Sequence, residues 1–153
     1  MPALLLSLLL AAPSRAGVTV SSAALQVSIT AKKGSPVFHT IESLLLPPDG
    51  KPAAVLRAVL TVDNEGPRVE SGVVIRFSIS ARVKRIGSDG EGAWSVPFLR
   101  EERHVPRVAR GRGAAVNLPV NRAALVGHLK KLRSAGLWPD ALRIDALIEP
   151  RQG

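Results

Sequence analysis

The sequence predicts a mainly β fold, namely an antiparallel β-sandwich with one α-helix inserted before the last strand. Over most of the chain after residue 17, apolar and polar residues alternate with a period of two, as in strands that bury one face. Short runs rich in Gly, Pro, Asn and Asp separate these strands at close intervals. Residues 122–135 follow instead the spacing of an amphipathic helix.

The first sixteen residues are predicted to form a cleavable signal peptide. Leu4–Ala12 is an apolar run of nine residues, which is shorter than the about 20 residues of a transmembrane helix but typical of a secretory signal core. Pro13 ends the run, and Ser14–Ala16 places small residues where a signal peptidase recognises them. We expect cleavage after Ala16 and a mature domain, residues 17–153, in the periplasm or outside the cell. The alternative is a buried N-terminal element of a cytosolic protein.

The strands are predicted from this alternation. The longest run places Val73, Ile75, Phe77 and the next alternate residues on one face, with polar residues opposite. The clearest strands are 25–29, 56–62, 73–83, 116–120 and 142–148. Two more are expected at 39–46 and 94–98, the second at a sheet edge because Pro97 cannot donate to a ladder. Turns are expected at 47–50, 63–67 and 87–92. No repeat or second domain is visible.

The predicted helix has recognisable ends. Asn121 can cap its first turn, and Gly136 supplies the left-handed residue that ends it. Leu125, Leu129 and Leu132 form a stripe along one face. We therefore expect residues 122–135 to pack on the sandwich through these leucines and to connect the last two strands.

Two segments resemble known domains. Leu60–Pro67 ends a strand in an Asn-x-Gly turn, and Ser71–Ile75 resumes with Gly-Val-Val. This pattern resembles a hairpin of bacterial cell-surface immunoglobulin-like domains of the CARDB and DUF11 types, and Val105–Gly111 is similar to their next proline-to-glycine turn. The resemblance covers about half of the mature chain and implies an immunoglobulin-like spacer or adhesion module without catalytic residues. The helix at 122–135 departs from the pattern of these domains.

Composition excludes several kinds of site. The chain has no cysteine, which excludes disulfides, thiolate metal ligands, a thiol nucleophile and lipid attachment at cysteine. The net charge is +9, from 21 basic and 12 acidic residues. This surplus favours anionic partners, although arginine- and alanine-rich composition is also typical of GC-rich genomes.

Two basic clusters are the candidate sites for an anionic partner. One lies in a segment that we expect to be a polar loop, and the other lies on the helix. The candidate residues are Arg103, Arg107, Arg110, Arg112, Lys130, Lys131 and Arg133. No aromatic side chains accompany the arginines and the protein is predicted to be exported, so nucleic acid is not expected. An envelope protein or an anionic surface polymer is the expected partner, and the alternative is a solvated basic surface without one.

No catalytic motif or cofactor site is predicted. Neither a Gly-x-Ser-x-Gly elbow nor a Ser-x-x-Lys pair occurs. His39, His104 and His128 lie far apart without ligand spacing, and we expect the last two to be solvated. Two acid pairs, Asp89 with Glu91 and Asp63 with Glu65, could bind calcium. Each offers two carboxylates where calcium takes about six to eight oxygens, which favours ordinary hairpin turns.

These observations predict a non-catalytic, exported module that binds or assembles with an envelope component. One alternative is a periplasmic chaperone or assembly factor that adds a client strand beside residues 93–99. Another is a hydrolase whose carboxylates meet only in the folded protein. No membrane span is expected in the mature chain.

Overall fold

The computed structural model describes residues 3–10, 17–29, 35–41, 43–45 and 54–149. These residues form ten strands and one α-helix. The strands are β1 (Ala3–Leu10), β2 (Val18–Ile29), β3 (His39–Ile41), β4 (Ser43–Leu45), β5 (Ala54–Asn64), β6 (Glu70–Arg85), β7 (Ala93–Trp94), β8 (Leu99–Val108), β9 (Ala114–Pro119) and β10 (Leu137–Glu149). The helix α1 (Arg122–Ser134) lies between β9 and β10. The predicted mainly β fold with a helix before the last strand is confirmed.

The strands form two sheets. In the first sheet β6 is central, with β10 on one side and β7 and β8 on the other, and the sheet continues from β10 through β1 to β4. The second sheet has the order β3-β2-β5-β9. Every pairing in the described residues is antiparallel except that of β1 with β10, which is parallel.

The alternating apolar residues form one core between the two sheets. Ile75 and Ile79 of β6 are almost completely buried, as are Leu60 of β5 and Leu118 of β9. The leucine stripe of α1 is buried as well. The period-two and helical patterns therefore identify the core-facing side chains correctly.

The helix begins at the predicted residue and ends at Ser134, one residue before the predicted end. The side-chain oxygen of Asn121 accepts a hydrogen bond of 3.1 Å from the amide of Ala124. Gly136 has a φ of +69° and donates its amide to Arg133 at 3.0 Å. Its carbonyl accepts the amide of Ile86 at 3.0 Å, which fixes the end of the helix beside the end of β6.

Residues 99–108 differ from the sequence prediction. The prediction of a polar loop around His104 is wrong. These residues form β8, which pairs with β6 from Leu99 to Val108. Only Val105 and Val108 of this edge strand are buried, so the remaining positions accommodate charged residues without alternation. Pro106 lies within this strand and is exposed.

Two other predicted strands are shorter than expected. The edge strand predicted at 94–98 is reduced to Ala93–Trp94, after which the chain rejoins β6 at Leu99. The strand expected at 39–46 is split into β3 and β4, which belong to different sheets. The turn predicted at 47–50 lies outside the described residues.

Residues 4–10 of the apolar N-terminal run lie in β1, whose neighbours are β10 and β4. The predicted cleavage site at Ala16 lies outside the described residues, and cleavage stays a prediction. No helix in the described part of the chain combines the length and apolar character needed to cross a bilayer.

Candidate binding surfaces

Four arginines follow one another along β8 and the turn after it. Arg103 and Arg107 lie on the strand, and Arg110 and Arg112 lie in the turn at residues 109–113. We call these four residues the arginine row. All four are exposed, and none forms a salt bridge within the described part of the chain. The row therefore presents four guanidinium groups to solvent.

The strand gives the row a defined spacing. The sequence prediction of a basic loop is wrong for Arg103 and Arg107, which lie on β8 opposite Ile75 and Ser71 of β6. A strand rises about 3.3 Å per residue, so their Cα atoms lie about 13 Å apart. The ladder to β6 keeps this separation, whereas a loop would let it vary.

Asn64 holds the turn that carries the other two arginines. Its side chain is 1% exposed and donates to the carbonyls of Arg68 at 2.7 Å and Val108 at 3.1 Å. Its side-chain oxygen accepts the amide of Gly66 at 2.9 Å, and its backbone carbonyl accepts the amide of Gly111 at 3.0 Å. Asn64 thus joins the end of β5 to the end of β8 through its buried carboxamide and to the turn through its backbone carbonyl.

Nearby acids neutralise the row only in part. Glu102 lies one residue before Arg103, but it accepts a hydrogen bond of 2.8 Å from Arg76 and is engaged there. Asp63 lies against the turn, with a carboxylate oxygen 2.6 Å from the place where a Cβ on Gly113 would be. Neither of these acids forms a salt bridge with the row in the described part of the chain.

A trough lies beside Arg103, between the edge strands of the two sheets. It has a volume of about 200 Å³ between β8 and β9, which are not paired with each other. Arg103 and His104 line one side, and Ala115 and Asn117 line the other. Of the arginine row, Arg103 alone lines the trough.

The second basic cluster lies elsewhere. Lys130, Lys131 and Arg133 are exposed near the end of α1, and the last two lie in its final turn, where cations interact favourably with the helix dipole. The end of α1 lies beside the last residues of β6, where the amide of Ile86 bonds to Gly136, whereas Arg103 and Arg107 pair with Ile75 and Ser71 near the start of β6. The structure therefore does not join the seven candidate residues into one surface.

A groove on the outer face of the first sheet was not predicted. It has a volume of about 500 Å³. Its lining residues include Arg76, Ser78, Arg100, Glu102, Asp145 and Leu147. Arg76 crosses it, donating to Glu102 at 2.8 Å and to Glu149 at 2.7 Å, and these bonds raise the pKa of Arg76 above its ordinary value. Its guanidinium is thus already engaged, unlike those of the arginine row.

Farther along this face, a loop covers a buried ion pair. Arg82 donates to Asp140 at 2.8 Å, and the amide of Gly92 donates to the same carboxylate at 3.0 Å. Burial raises the pKa of Asp140, but these two donors outweigh it and hold the pKa below its ordinary value. Arg82 also pairs with Glu91 at 2.9 Å. The outer face of β6, where the sequence places polar residues, is therefore covered at this end.

The expectation that His128 is solvated is wrong. Its ring is stacked on Phe98 with centroids 4.2 Å apart and an interplanar angle of 8°. Its Nε2 atom is buried and has no hydrogen-bond partner within the described residues. Burial and the charge of Lys131 lower the pKa of His128. His104, by contrast, has a side chain that is 71% exposed, as expected.

The acid pairs considered for calcium have other environments. Glu91 forms a salt bridge with Arg82. Its carboxylate is therefore paired with a cation and not shared with Asp89. Asp63 lies beside Gly113 in the turn of the arginine row. No group of three or more His, Cys, Asp or Glu side chains suited to a metal ion occurs among the described residues.

Comparison with known proteins identifies no relative. No protein-family model matches the chain, and no curated protein or solved structure has significant similarity to it.

Proposed function

We propose that this chain is an exported, non-catalytic module that binds an anionic polymer of the cell envelope through the arginine row. The main support is the contrast between two sets of arginines. Arg76, Arg82 and Arg143 on the outer face of the first sheet each pair with an acid. The four arginines of the row are exposed and have no such partner among the described residues.

A linear polyanion fits this arrangement. The guanidinium group matches carboxylate and phosphate oxygens in two-point hydrogen bonds. Cations spaced along an extended strand and its turn meet successive charges of a polymer laid beside them, and the trough between β8 and β9 adjoins Arg103, the first of these cations. The net charge of +9 increases the encounter rate through long-range attraction.

The decisive experiment compares two charge reversals of equal size. One variant carries Arg103→Glu, Arg107→Glu and Arg110→Glu, and the control carries Lys130→Glu, Lys131→Glu and Arg133→Glu. Retention on immobilised dextran sulfate, a linear polyanion, is measured as a function of salt. We expect the row variant to lose about tenfold or more in affinity and to show a shallower salt dependence, and the helix variant to lose much less. Equal losses in both variants would contradict a specific row.

A second candidate function is strand addition by an assembly factor. The edge predicted for it at 93–99 is a poor acceptor, because Ala93–Trp94 is short and Pro97 lacks the amide that a ladder needs. A different strand supports this function better. β10 pairs with β1, which lies within the predicted signal peptide, so cleavage would leave β10 with an open edge.

A further inference from the structure

The N-terminal strand occupies a slot in the first sheet. β1 pairs with β10 in parallel from Leu5 opposite Ala141 to Leu10 opposite Ala146. On its other side it pairs with β4 in antiparallel orientation from Ala3 opposite Leu45 to Leu5 opposite Ser43. Among the described strands β4 pairs with β1 alone, so removing β1 takes away the only ladder partner of β4. The edge of β10 then stands open to one further strand, about 4.8 Å away.

We propose that the mature chain, beginning at Gly17, binds an extended apolar segment of a partner polypeptide in the slot that β1 leaves beside β10, parallel to β10. This inference rests on the proposed export and cleavage after Ala16. It deepens the second candidate function by naming the acceptor edge, the strand direction and the chemistry of the partner.

The acceptor strand is held in place without β1. β10 pairs with β6 along almost its whole length, from Leu137 opposite Arg85 to Glu149 opposite Val74. Its inward residues Leu142 and Ile144 are each 3% exposed in the core. Loss of β1 therefore opens a row of backbone amides and carbonyls and the adjoining apolar core. Both are costly to leave uncovered.

The start of the mature chain has its own anchor. The carbonyl of Gly17 accepts the amide of Glu65 at 2.8 Å. Gly17 has a φ of +76°, and a Cβ there would lie 2.9 Å from the amide of Gly66. This close contact lies entirely within residues 17–66, so the first residues of β2 keep their place when the preceding segment is removed.

The register indicates what the slot accepts. Leu6, Leu8 and Leu10 stand opposite the inward residues Leu142, Ile144 and Ala146. Ser7 stands opposite Arg143, which is paired with Asp145 at 3.1 Å on the outer face. The slot thus matches a segment with apolar residues at alternate positions. If two copies of this chain paired their β10 strands about a two-fold axis, the two strands would be antiparallel. A segment that lies parallel to β10 is therefore not the β10 strand of such a symmetric dimer.

Cysteine cross-linking tests the slot, because the chain has no cysteine of its own. The full chain is expressed with export, and mass spectrometry of the exported protein establishes its N-terminus. Single variants Arg143→Cys and Asp145→Cys are then oxidised with a synthetic peptide of the sequence 3–10, flanked by lysines, that carries Ser7→Cys or Leu9→Cys. Cα atoms on paired strands lie within disulfide reach.

In the parallel register, the Ser7→Cys peptide pairs with Arg143→Cys and the Leu9→Cys peptide pairs with Asp145→Cys. We expect at least tenfold more disulfide for these two combinations than for the Leu9→Cys peptide with Ala141→Cys, which an antiparallel strand would favour. Asn117→Cys on the exposed edge strand β9 is the matched control, and it should give only background disulfide.

The outcomes separate this inference from the proposed export. An intact N-terminus in the exported protein would overturn cleavage and, with it, the open slot. A cleaved protein whose Arg143→Cys and Asp145→Cys variants both cross-link no more than Asn117→Cys would overturn the slot and leave export standing. Preferential cross-linking of the Leu9→Cys peptide to Ala141→Cys would overturn the parallel direction.

Discussion

The carboxamide of Asn64 donates to the backbone carbonyl of Val108 at 3.1 Å and thereby ties the second sheet to the edge strand of the first. The two residues are 44 positions apart in the chain. Val108 is the last residue of β8 and is fully buried. This bond fixes the point at which the arginine row leaves the strand and enters the turn.

Asn64→Ala is expected to destabilise the fold. The substitution leaves the carbonyls of Arg68 and Val108 and the amide of Gly66 without their side-chain partner, which should cost about 2 to 4 kcal/mol in the free energy of unfolding. Urea denaturation measures this loss, and hydrogen exchange at the amide of Gly111 should quicken. The control Asn117→Ala removes an exposed carboxamide from β9 and should change stability by less than about 0.5 kcal/mol. Similar losses for both variants would contradict the role of Asn64.

Asp140→Asn is expected to weaken the fold at neutral pH. Arg82 and Asp140 have side chains that are 14% and 9% exposed, so removing one charge of this pair should cost more stability than breaking an exposed pair does. The control Asp145→Asn breaks a pair with side chains 30% and 31% exposed, which should cost under about 1 kcal/mol.

The pH dependence of the Asp140 effect has a definite sign. Because the pKa of Asp140 is lowered in the folded protein, the carboxylate stabilises the fold above its unfolded pKa of about 4 and loses this contribution as the pH falls further. The stability difference between the original protein and Asp140→Asn should therefore shrink below about pH 4. A difference that stays constant across this range would show that the ionic form is not responsible.

His128 is expected to make the fold less stable in mild acid. Its pKa is lowered in the folded protein by burial and by Lys131, so the unfolded chain takes up the proton first, and stability decreases as the pH falls below about 6.5. His128→Phe keeps an aromatic ring against Phe98 and removes the titratable imidazole. The melting temperature of this variant should therefore change much less between pH 7 and 5. His104→Gln, at an exposed position, should retain it. A pH profile that His128→Phe leaves unchanged would contradict this assignment.

Two glycines are expected to respond oppositely to alanine. A Cβ on Gly92 would overlap the backbone carbonyl of Val83, and because backbone cannot easily move aside, Gly92→Ala should lower stability by about 2 kcal/mol or more. Gly127 lies within α1 with no heavy atom within 4 Å of its Cβ position, so Gly127→Ala should raise stability by about 0.5 to 1 kcal/mol. Melting temperatures of the two variants provide the measurement. A shift in the same direction for both would refute the packing argument.

Local patterns were sufficient for much of the fold. The alternation in 73–83 and 142–148 correctly identified the core faces of β6 and β10. The helix was predicted within one residue, because Asn121 and Gly136 cap it through contacts a few residues away. β8 was missed because an edge strand buries few side chains and therefore shows little alternation. His128 was misjudged because the residue that covers it, Phe98, belongs to another element.

The sequence by itself determined which residues face the core and where the helix begins and ends. Tertiary structure alone decided which charges meet. Arg76 pairs with Glu102 and Glu149, which are 26 and 73 residues away, whereas the arginine row stays free of salt bridges within the described residues. The physical reason is that side-chain periodicity is a property of one strand, while neighbours across a sheet depend on the order and register in which distant strands pair.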